Sequence, residues 1–549
     1  MAHTPKFRQF MRTLQKAQRE NLMAEGKSPP LTKRQVGWTR RRWLKLAALA
    51  TGTALTTNVL PDLEAAWSRE RRNPKIAIVG AGIAGLNAAY QLKKAGLTAS
   101  VYEARQRLGG RIHSVTDAVG EGLVLDLGGH FINTNHADML ELASEFGLKL
   151  FNRNEDAARF PFPKEAYYFD GKIRSEAEVA DKLRPLARQI SDDADLLDKD
   201  YKKFAPMFDR ISVTSYLDKH ADKIPEPFIR ALIEDTIRTE FGTEPKEAPV
   251  LLLLFLLPAV DGDKVEVLGD SDETFVVEGG SGRIIDSLAQ ALPGQILSGM
   301  RLTQIQSRGS GFRLTFFGNY IVDADYVIVA IPFTVLREVK IQVELPKRLR
   351  RFIHEAILSS NEKLEAGFDQ RVWRRENGFV QEVWTDLEFS EVWDATQRQA
   401  DRKDGVLTFF LGGHQAIAVQ SGSAQSQGKK FVDLFENIIP GAKGAANGSF
   451  LRTQWTQDPF TKGAYSSFKL GQLTEFADFF YIESDDSEER QDVNVGNLIF
   501  AGEHVSDEFS GYMNGGAQTG RLAAATVLER IQAQQRILPR KLVKNKGTA

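Results

Sequence analysis

The stretch Lys75-Ile76-Ala77-Ile78-Val79-Gly80-Ala81-Gly82-Ile83-Ala84-Gly85-Leu86 decides how this chain is read. Its apolar run is long enough for one buried strand and ends in Gly-x-Gly-x-x-Gly. A helical pattern follows, Leu86-Asn87-Ala88-Ala89-Tyr90-Gln91-Leu92, and Ala99-Ser100-Val101-Tyr102-Glu103 reads as a second strand closed by a carboxylate. Strand, glycine turn, helix, strand and acid together make a dinucleotide-binding unit. Gly80 permits the tight turn, Gly82 lets backbone approach a pyrophosphate, and Gly85 lets helix and strand pack closely. The helix N-terminus faces the phosphates, and Glu103 is placed for ribose hydroxyls. A glycine triplet alone would also suit an ordinary turn. The flanking strand and helix, and an acid about 20 residues on, separate the two readings.

The chain has 549 residues, long for one domain. Hydrophobic residues make up 42 % and charged residues 26 %, an ordinary globular composition. With 71 basic against 72 acidic residues, no global charge points to nucleic acid or an anionic surface. There is no cysteine, which excludes disulfides, thiol catalysis, thiolate metal sites and cysteinyl cofactor links; no metal site is expected. Near the N-terminus, Thr39-Arg40-Arg41-Arg42-Trp43-Leu44-Lys45 precedes an uncharged, weakly apolar segment from Leu46 to Leu60. That segment is too short for a comfortable membrane span. The pattern resembles a twin-arginine export signal, with Ala65-Ala66 near a cleavage site, and implies a periplasmic protein. The alternative is an N-terminal helix of a cytoplasmic protein.

Residues 1–72 are therefore read as an N-terminal extension and 73–150 as the first part of a cofactor domain. Residues 151–272 read mostly helical, with apolar spacing over Ala177–Ile190, Leu196–Phe208 and Pro227–Thr239. The apolar run Val250–Leu257 predicts a buried helix or the wall of a pocket. Strand patterns return at Thr274–Glu278, Ile296–Ile305, Phe312–Phe317 and Asp325–Ile331, with a helix over Ile284–Ala291, so 273–343 is a second part of the cofactor domain. Residues 344–490 form a second part of the substrate domain. A third cofactor part, 491–535, holds a strand at Leu498–Glu503 and a helix over Asn514–Ala533, and 536–549 is a basic tail. The fold class is α/β, a Rossmann-like cofactor domain assembled from discontinuous segments with an inserted α+β substrate-binding domain.

Further motifs resemble those of the flavin-containing amine oxidases. Glu103-Ala104-Arg105-Gln106-Arg107-Leu108-Gly109-Gly110-Arg111 is similar to their second flavin signature. Asp126-Leu127-Gly128-Gly129, Tyr326 to Pro332, Phe500-Ala501-Gly502-Glu503 and Ser510-Gly511-Tyr512-Met513-Asn514-Gly515-Gly516-Ala517 match in the family's order. The resemblance spans roughly Pro74 to Arg530 and implies bound FAD. Arg105 and Arg111 flank glycines and can neutralise a pyrophosphate. Ala104 and Gly110 belong to the same cofactor-binding turn. Gly128 and Gly129 would let a flat ring lie against backbone, Glu503 would accept from a ribityl hydroxyl, and Leu302 stands where the family often has valine beside the adenine. Gly511 to Ala517, carrying Tyr512 and Met513, would begin a helix aimed at the flavin's N1–C2=O edge. Ala464 stands where some members carry a flavin-linking cysteine, so the FAD is expected to be noncovalent.

The resemblance also implies catalytic positions: Lys363 as the lysine that holds a water near flavin N5, and Tyr465 and Tyr512 as two aromatics flanking the substrate amine. Many L-amino-acid oxidases place a carboxylate-binding arginine two residues after the second glycine of Gly128-Gly129; here Gly128-Gly129-His130-Phe131 has phenylalanine, with His130 as a candidate donor. The implied reaction is oxidation of a C–N bond by hydride transfer to flavin N5, with O2 or a quinone as final acceptor. The first expectation is an L-amino acid with a basic side chain, met by one of Glu234, Asp235, Glu240 or Glu244. The alternative is a monoamine or polyamine oxidase acting on a carboxylate-free amine, which Phe131 and the tyrosine pair favour. A small-molecule substrate, no nucleic-acid partner and compatibility with a homodimer complete the expectation.

Overall fold

A computed structural model of the chain describes residues 74–269, 271–484 and 489–544, with side chains to residue 534. The twin-arginine pattern and its cleavage site lie outside the described residues.

Ile76–Val79 forms a strand with every residue buried, Gly80 turns the chain at φ 102°, and the helix Ile83–Lys94 returns it to the strand Ala99–Tyr102. A continuous apolar run is what a strand covered on both faces requires. The strand lies inside a six-stranded sheet ordered Ile296–Leu297, Ala99–Tyr102, Ile76–Val79, Tyr326–Val329, Leu498–Phe500, Asn494–Val495. All pairs are parallel except the last. Its strands thus come from three separated stretches of chain. The helix Met513–Lys544 crosses the Ile83–Lys94 helix almost backbone to backbone: a Cβ on Gly520 would lie 2.2 Å from the Ala84 carbonyl oxygen.

A second, seven-stranded sheet runs in the order Ala446–Arg452, Asn361–Phe368, Gly405–Gly412, Glu391–Asp394, Glu382–Thr385, Glu165–Phe169, Lys172–Arg174. Its two faces separate cleanly because side chains alternate along each strand. One face (Leu364, Ala366, Leu407, Phe409, Val392, Val383) packs with Phe431, Val432 and Phe435 of the helix Ala424–Phe435. The opposite face is polar. Lys363 pairs with Phe410, which pairs with Glu391; one row along, Glu365 pairs with Thr408, Thr408 with Trp393, and Trp393 with Glu382. Such rows of directly opposed residues share a face, and this one carries Lys363, Glu391, Trp393 and Phe410 into a cavity between the two sheets.

Several elements differ from the sequence reading, each for a local reason. The single strand expected over Ile296–Ile305 is two. Gly299, at φ 75°, turns the chain between Ile296–Leu297 and Leu302–Arg308, and the latter joins a separate four-stranded sheet. The helix expected over Leu196–Phe208 breaks at Asp200, whose side chain accepts from the Lys203 N–H and caps a new helix, Tyr201–Phe208. The stretch read as mostly helical contains the hairpin Glu165–Phe169/Lys172–Arg174, turned by Asp170-Gly171 with both residues at positive φ, the favoured two-residue turn. The last helix continues to Lys544, into residues read as a tail. Val250–Leu256 is a helix with every residue buried, and its Leu252, Phe255 and Leu256 also wall the cavity, so the helix and pocket-wall readings both hold. Among the described residues no helix is long and apolar enough to cross a membrane.

Candidate active site

The cavity begins where the two glycine motifs meet. Gly109 N–H donates to the Ala81 carbonyl at 2.9 Å, and a Cβ on Gly110 would sit 3.4 Å from Gly82 Cα. Two backbones therefore close on one another and leave a narrow, side-chain-free cleft at the N-terminus of the Ile83–Lys94 helix. Glu103, buried, accepts from the Ala81 and Arg105 N–H groups, both at 2.8 Å, and keeps lone pairs for a hydroxyl. Gly85 is not on the cavity: a Cβ there would lie 1.9 Å from the Gly80 oxygen, so its place is helix-to-turn packing. Gly80, Gly82, Ala104, Gly110 and Leu302 all line the cleft. Arg105 and Arg111 line it too, but as paired charges. Arg105 makes a two-pronged bridge to Asp458 (2.7 and 2.5 Å), and Arg111 donates to Glu503 at 2.5 Å and to the Ala464 carbonyl at 2.8 Å. Glu503 also accepts from Ser466 Oγ and the Gly511 N–H. Burial works to raise its carboxyl, yet Arg111 and these contacts hold it below the usual range. The cleft thus supplies backbone N–H groups, a helix N-terminus and a buried acid, the donor set that suits a dinucleotide.

Toward the seven-stranded sheet the walls change character. Gly128 and Gly129 form one wall, but packing rather than a ring explains them. A Cβ on Gly128 would fall 1.8 Å from the Arg111 carbonyl oxygen, and one on Gly129 would fall 2.6 Å from the Met513 side chain. Lys363 is buried, and its ammonium donates to the Asp126 and Gly128 carbonyls, both at 2.8 Å, with the Trp393 ring 5.3 Å away. Burial lowers its pKa, while Glu365 and Asp126 hold it up. Tyr465 donates to the Thr239 carbonyl, and Tyr512 to Ser271 Oγ at 3.2 Å. Both hydroxyls are tied at the rim, so the rings face the cavity, and burial raises both phenols. His130 stacks on Phe131 (4.3 Å, 12°), and burial followed by Arg398 drives its pKa well down, leaving a neutral packed ring. The Arg153 guanidinium covers the other side of Phe131 at 4.2 Å.

Three carboxyls line the same end: Glu240, Glu273 and Glu391. Of the four acids singled out near the apolar run, Glu240 alone lines the cavity. Glu234 pairs with Arg230, Asp235 with Arg238, and Glu244 with Arg238 and His414. Burial, then Glu382, lifts the Glu240 carboxyl to about 7. Burial raises Glu273 and Glu391 well above the ordinary value; Arg153 opposes this in both, most strongly at Glu273.

The sequence pattern of the family described as flavin containing amine oxidoreductase matches residues 83–528. The chain belongs to that family. Amine oxidase [flavin-containing] B of Sus scrofa is 24 % identical over 465 residues, covering 82 % of this chain and 86 % of that protein. The A form of the same organism is 23 % identical over 469 residues, 82 % of this chain and 84 % of the relative. A structure of wild-type putrescine oxidase bound to putrescine aligns with TM-score 0.68 at 23 % identity, over 83 % of this chain and 99 % of that one. Cyclohexylamine oxidase from Brevibacterium oxydans IH-35A aligns with TM-score 0.67 at 22 % identity, over 84 % and 100 %.

This amine oxidase is therefore an FAD-dependent oxidoreductase, and the glycine cleft with Glu103 and Glu503 fits the cofactor's nucleotide and ribityl parts. Sequence reasoning missed Glu273, Glu391, Trp393 and Asp458. Glu391 and Trp393 lie two residues apart on one strand and share a face, but nothing local marks that face as buried. Asp458 has no local pattern, because its partner Arg105 is remote in sequence. Gly128→Val is expected to destabilise the protein by about 3 kcal/mol and to release FAD, because the new Cβ collides with backbone. Thermal unfolding with and without added FAD checks this; a variant that stays yellow with an unchanged midpoint would refute it.

Proposed function

We propose that this amine oxidase acts on a primary amine that carries a second cationic nitrogen and no carboxylate, a diamine or polyamine. The observation that carries the reading is the pair Glu240 and Glu391. Both line the cavity end that holds Tyr465 and Tyr512, and neither makes a hydrogen bond or ion pair among the described residues. A carboxyl that lines a cavity without a protein donor is satisfied by a cation from the ligand. Among the described residues the same end offers no cation that is uncommitted and free to pair with a ligand carboxylate. Phe131 stands where an arginine would bind one, Arg153 above it is committed to Glu273 and Glu382, and the Lys363 ammonium is held by two carbonyls. A basic L-amino acid would satisfy the acids but leave its carboxylate against Phe131. The related fold of a putrescine oxidase crystallised with putrescine agrees with this choice.

The chain's residues then divide the work. Tyr465 and Tyr512 present ring faces to the reacting amine and align its carbon. Lys363 uses two of its three N–H groups on carbonyls and keeps one for a water in the cavity. Bound FAD supplies the two-electron acceptor. The imine leaves and hydrolyses to ammonia and a carbonyl compound, and O2 is the final acceptor.

The test is anaerobic loss of the yellow flavin absorbance with matched pairs, putrescine against ornithine and agmatine against arginine, which differ only by the carboxylate. Faster bleaching by putrescine and agmatine is expected. Faster bleaching by ornithine or arginine would replace this reading with the amino-acid one.

A further inference from the structure

The acidic wall is out of charge balance. Glu240, Glu273, Glu382 and Glu391 act on one another, and Glu165 adjoins Glu382. Among the described residues the cations facing the group are Arg153, Lys164 and Lys363, the last acting on Glu273 while its ammonium is held by the Asp126 and Gly128 carbonyls. Arg153 reaches Glu273 at 3.4 Å and Glu382 at 3.1 Å, and Lys164 reaches Glu165 at 3.0 Å. Tyr465 and Tyr512 on the cavity, and Tyr167 beside Glu165 and Glu382, are protonated phenols that carry no charge. Among the described residues Glu391, only 4 % exposed, and Glu240 are left with neither an ion pair nor a hydrogen-bond donor, and both line the cavity. A carboxylate in that position keeps only the water the cavity admits, receives no hydrogen bond from the protein and is repelled by its neighbours. It is stabilised by taking up a proton, or by the arrival of a cation.

We infer that Glu240 and Glu391 hold protons while no substrate is bound and surrender them to solvent as a cationic nitrogen enters, so that substrate uptake is a cation-for-proton exchange. In each carboxyl the O–H bond breaks, the electron pair stays on the oxygen that becomes the counter-ion, and the proton passes to buffer. The inference rests on the diamine reading above. The sign of its pH dependence follows. Below the carboxyl's pKa, binding must first remove a proton and is weaker. Affinity for a dication therefore tightens as pH rises, for Glu240 through about 7.

The FAD-loaded enzyme, photoreduced anaerobically so that it cannot turn over, is titrated with putrescine. Calorimetry at about pH 6, below the Glu240 value of about 7, in phosphate and in Bis-Tris buffer counts the protons released, and infrared difference spectroscopy follows the C=O stretch of protonated carboxyls. The wild type is expected to lose that band and to release about one more proton per putrescine than Glu240→Gln or Glu391→Gln. Any proton lost by the amine itself appears equally in all three. Equal counts, or an unchanged band in the wild type, overturn the exchange even if putrescine binds well. The infrared arm needs no variant and decides the matter if a variant misfolds. Absence of putrescine binding, with ornithine still oxidised, instead removes the diamine reading and the exchange built on it.

Discussion

Replacing Lys363 by methionine is expected to slow one half of the catalytic cycle about 10²–10³-fold, the cost of removing one preorganised charged donor, while the purified protein stays yellow. The lysine sits on the Asn361–Phe368 strand, paired on both sides and opposite Phe410, so the sheet fixes where its side chain points. Its ammonium is anchored to the Asp126 and Gly128 carbonyls, and Gly128 also lines the cavity. Burial weakens the charge, whereas Glu365 and Asp126 preserve it. Methionine fills nearly the same volume but brings neither charge nor donor, and the two carbonyls it abandons open toward a cavity that can hold water. Gly80, Gly82, Glu103 and Glu503, which line the cleft that suits the dinucleotide, make no hydrogen bond to the lysine, so FAD is expected to stay bound. Anaerobic stopped-flow reduction and separate mixing of reduced enzyme with oxygen identify the affected half. Unchanged rates in both, with FAD bound, would remove Lys363 from the chemistry.

What the sequence made legible follows the range of the forces involved. The Ile76–Val79 strand, its glycine turn and the following helix are set by contacts between near neighbours, and their residues advertise them. Gly85 is a good example, because the oxygen that excludes a Cβ belongs to Gly80 in the same motif. The family resemblance extended that legibility to the placement of Lys363, Tyr465 and Tyr512 on one cavity, although their partners are distant. It did not extend to the charge states. Arg105 looks like a free cation until Asp458 folds over it, and Glu240 looks like one of several acids on a solvated helix until the Pro227–Phe241 helix turns it toward Tyr465. Glu391 was invisible for a related reason. An acid on a strand reads as solvent-facing, whereas this sheet has one apolar face under a helix and a polar face around a cavity. Burial of a charged side chain is a long-range outcome, and no local pattern encodes it.

The acid pair makes the second large prediction. Glu391→Gln and Glu240→Gln should each lower kcat/KM for putrescine about 30–100-fold, corresponding to loss of one buried charge-assisted contact worth about 2–3 kcal/mol. Butylamine, which has the same reacting end and no second nitrogen, should change by less than about threefold, since the lost interaction involves the distal cation alone. The contrast between the two substrates is the informative quantity. If the carboxyls served only to hold the sheet, both amines would suffer alike, and the loss would track thermal stability. Neutral glutamine is close in shape to the protonated acid, so the resting fold should be little disturbed. The double variant tests coupling. Because both acids face the Glu273–Glu382–Arg153 group, the penalties are expected to combine non-additively. Strict additivity would mean that the two acids meet different nitrogens, as they could with a polyamine but not with a single distal ammonium. Repeating the pair with spermidine then separates one shared cation site from two, and equal losses for putrescine and butylamine would remove the acids from substrate recognition.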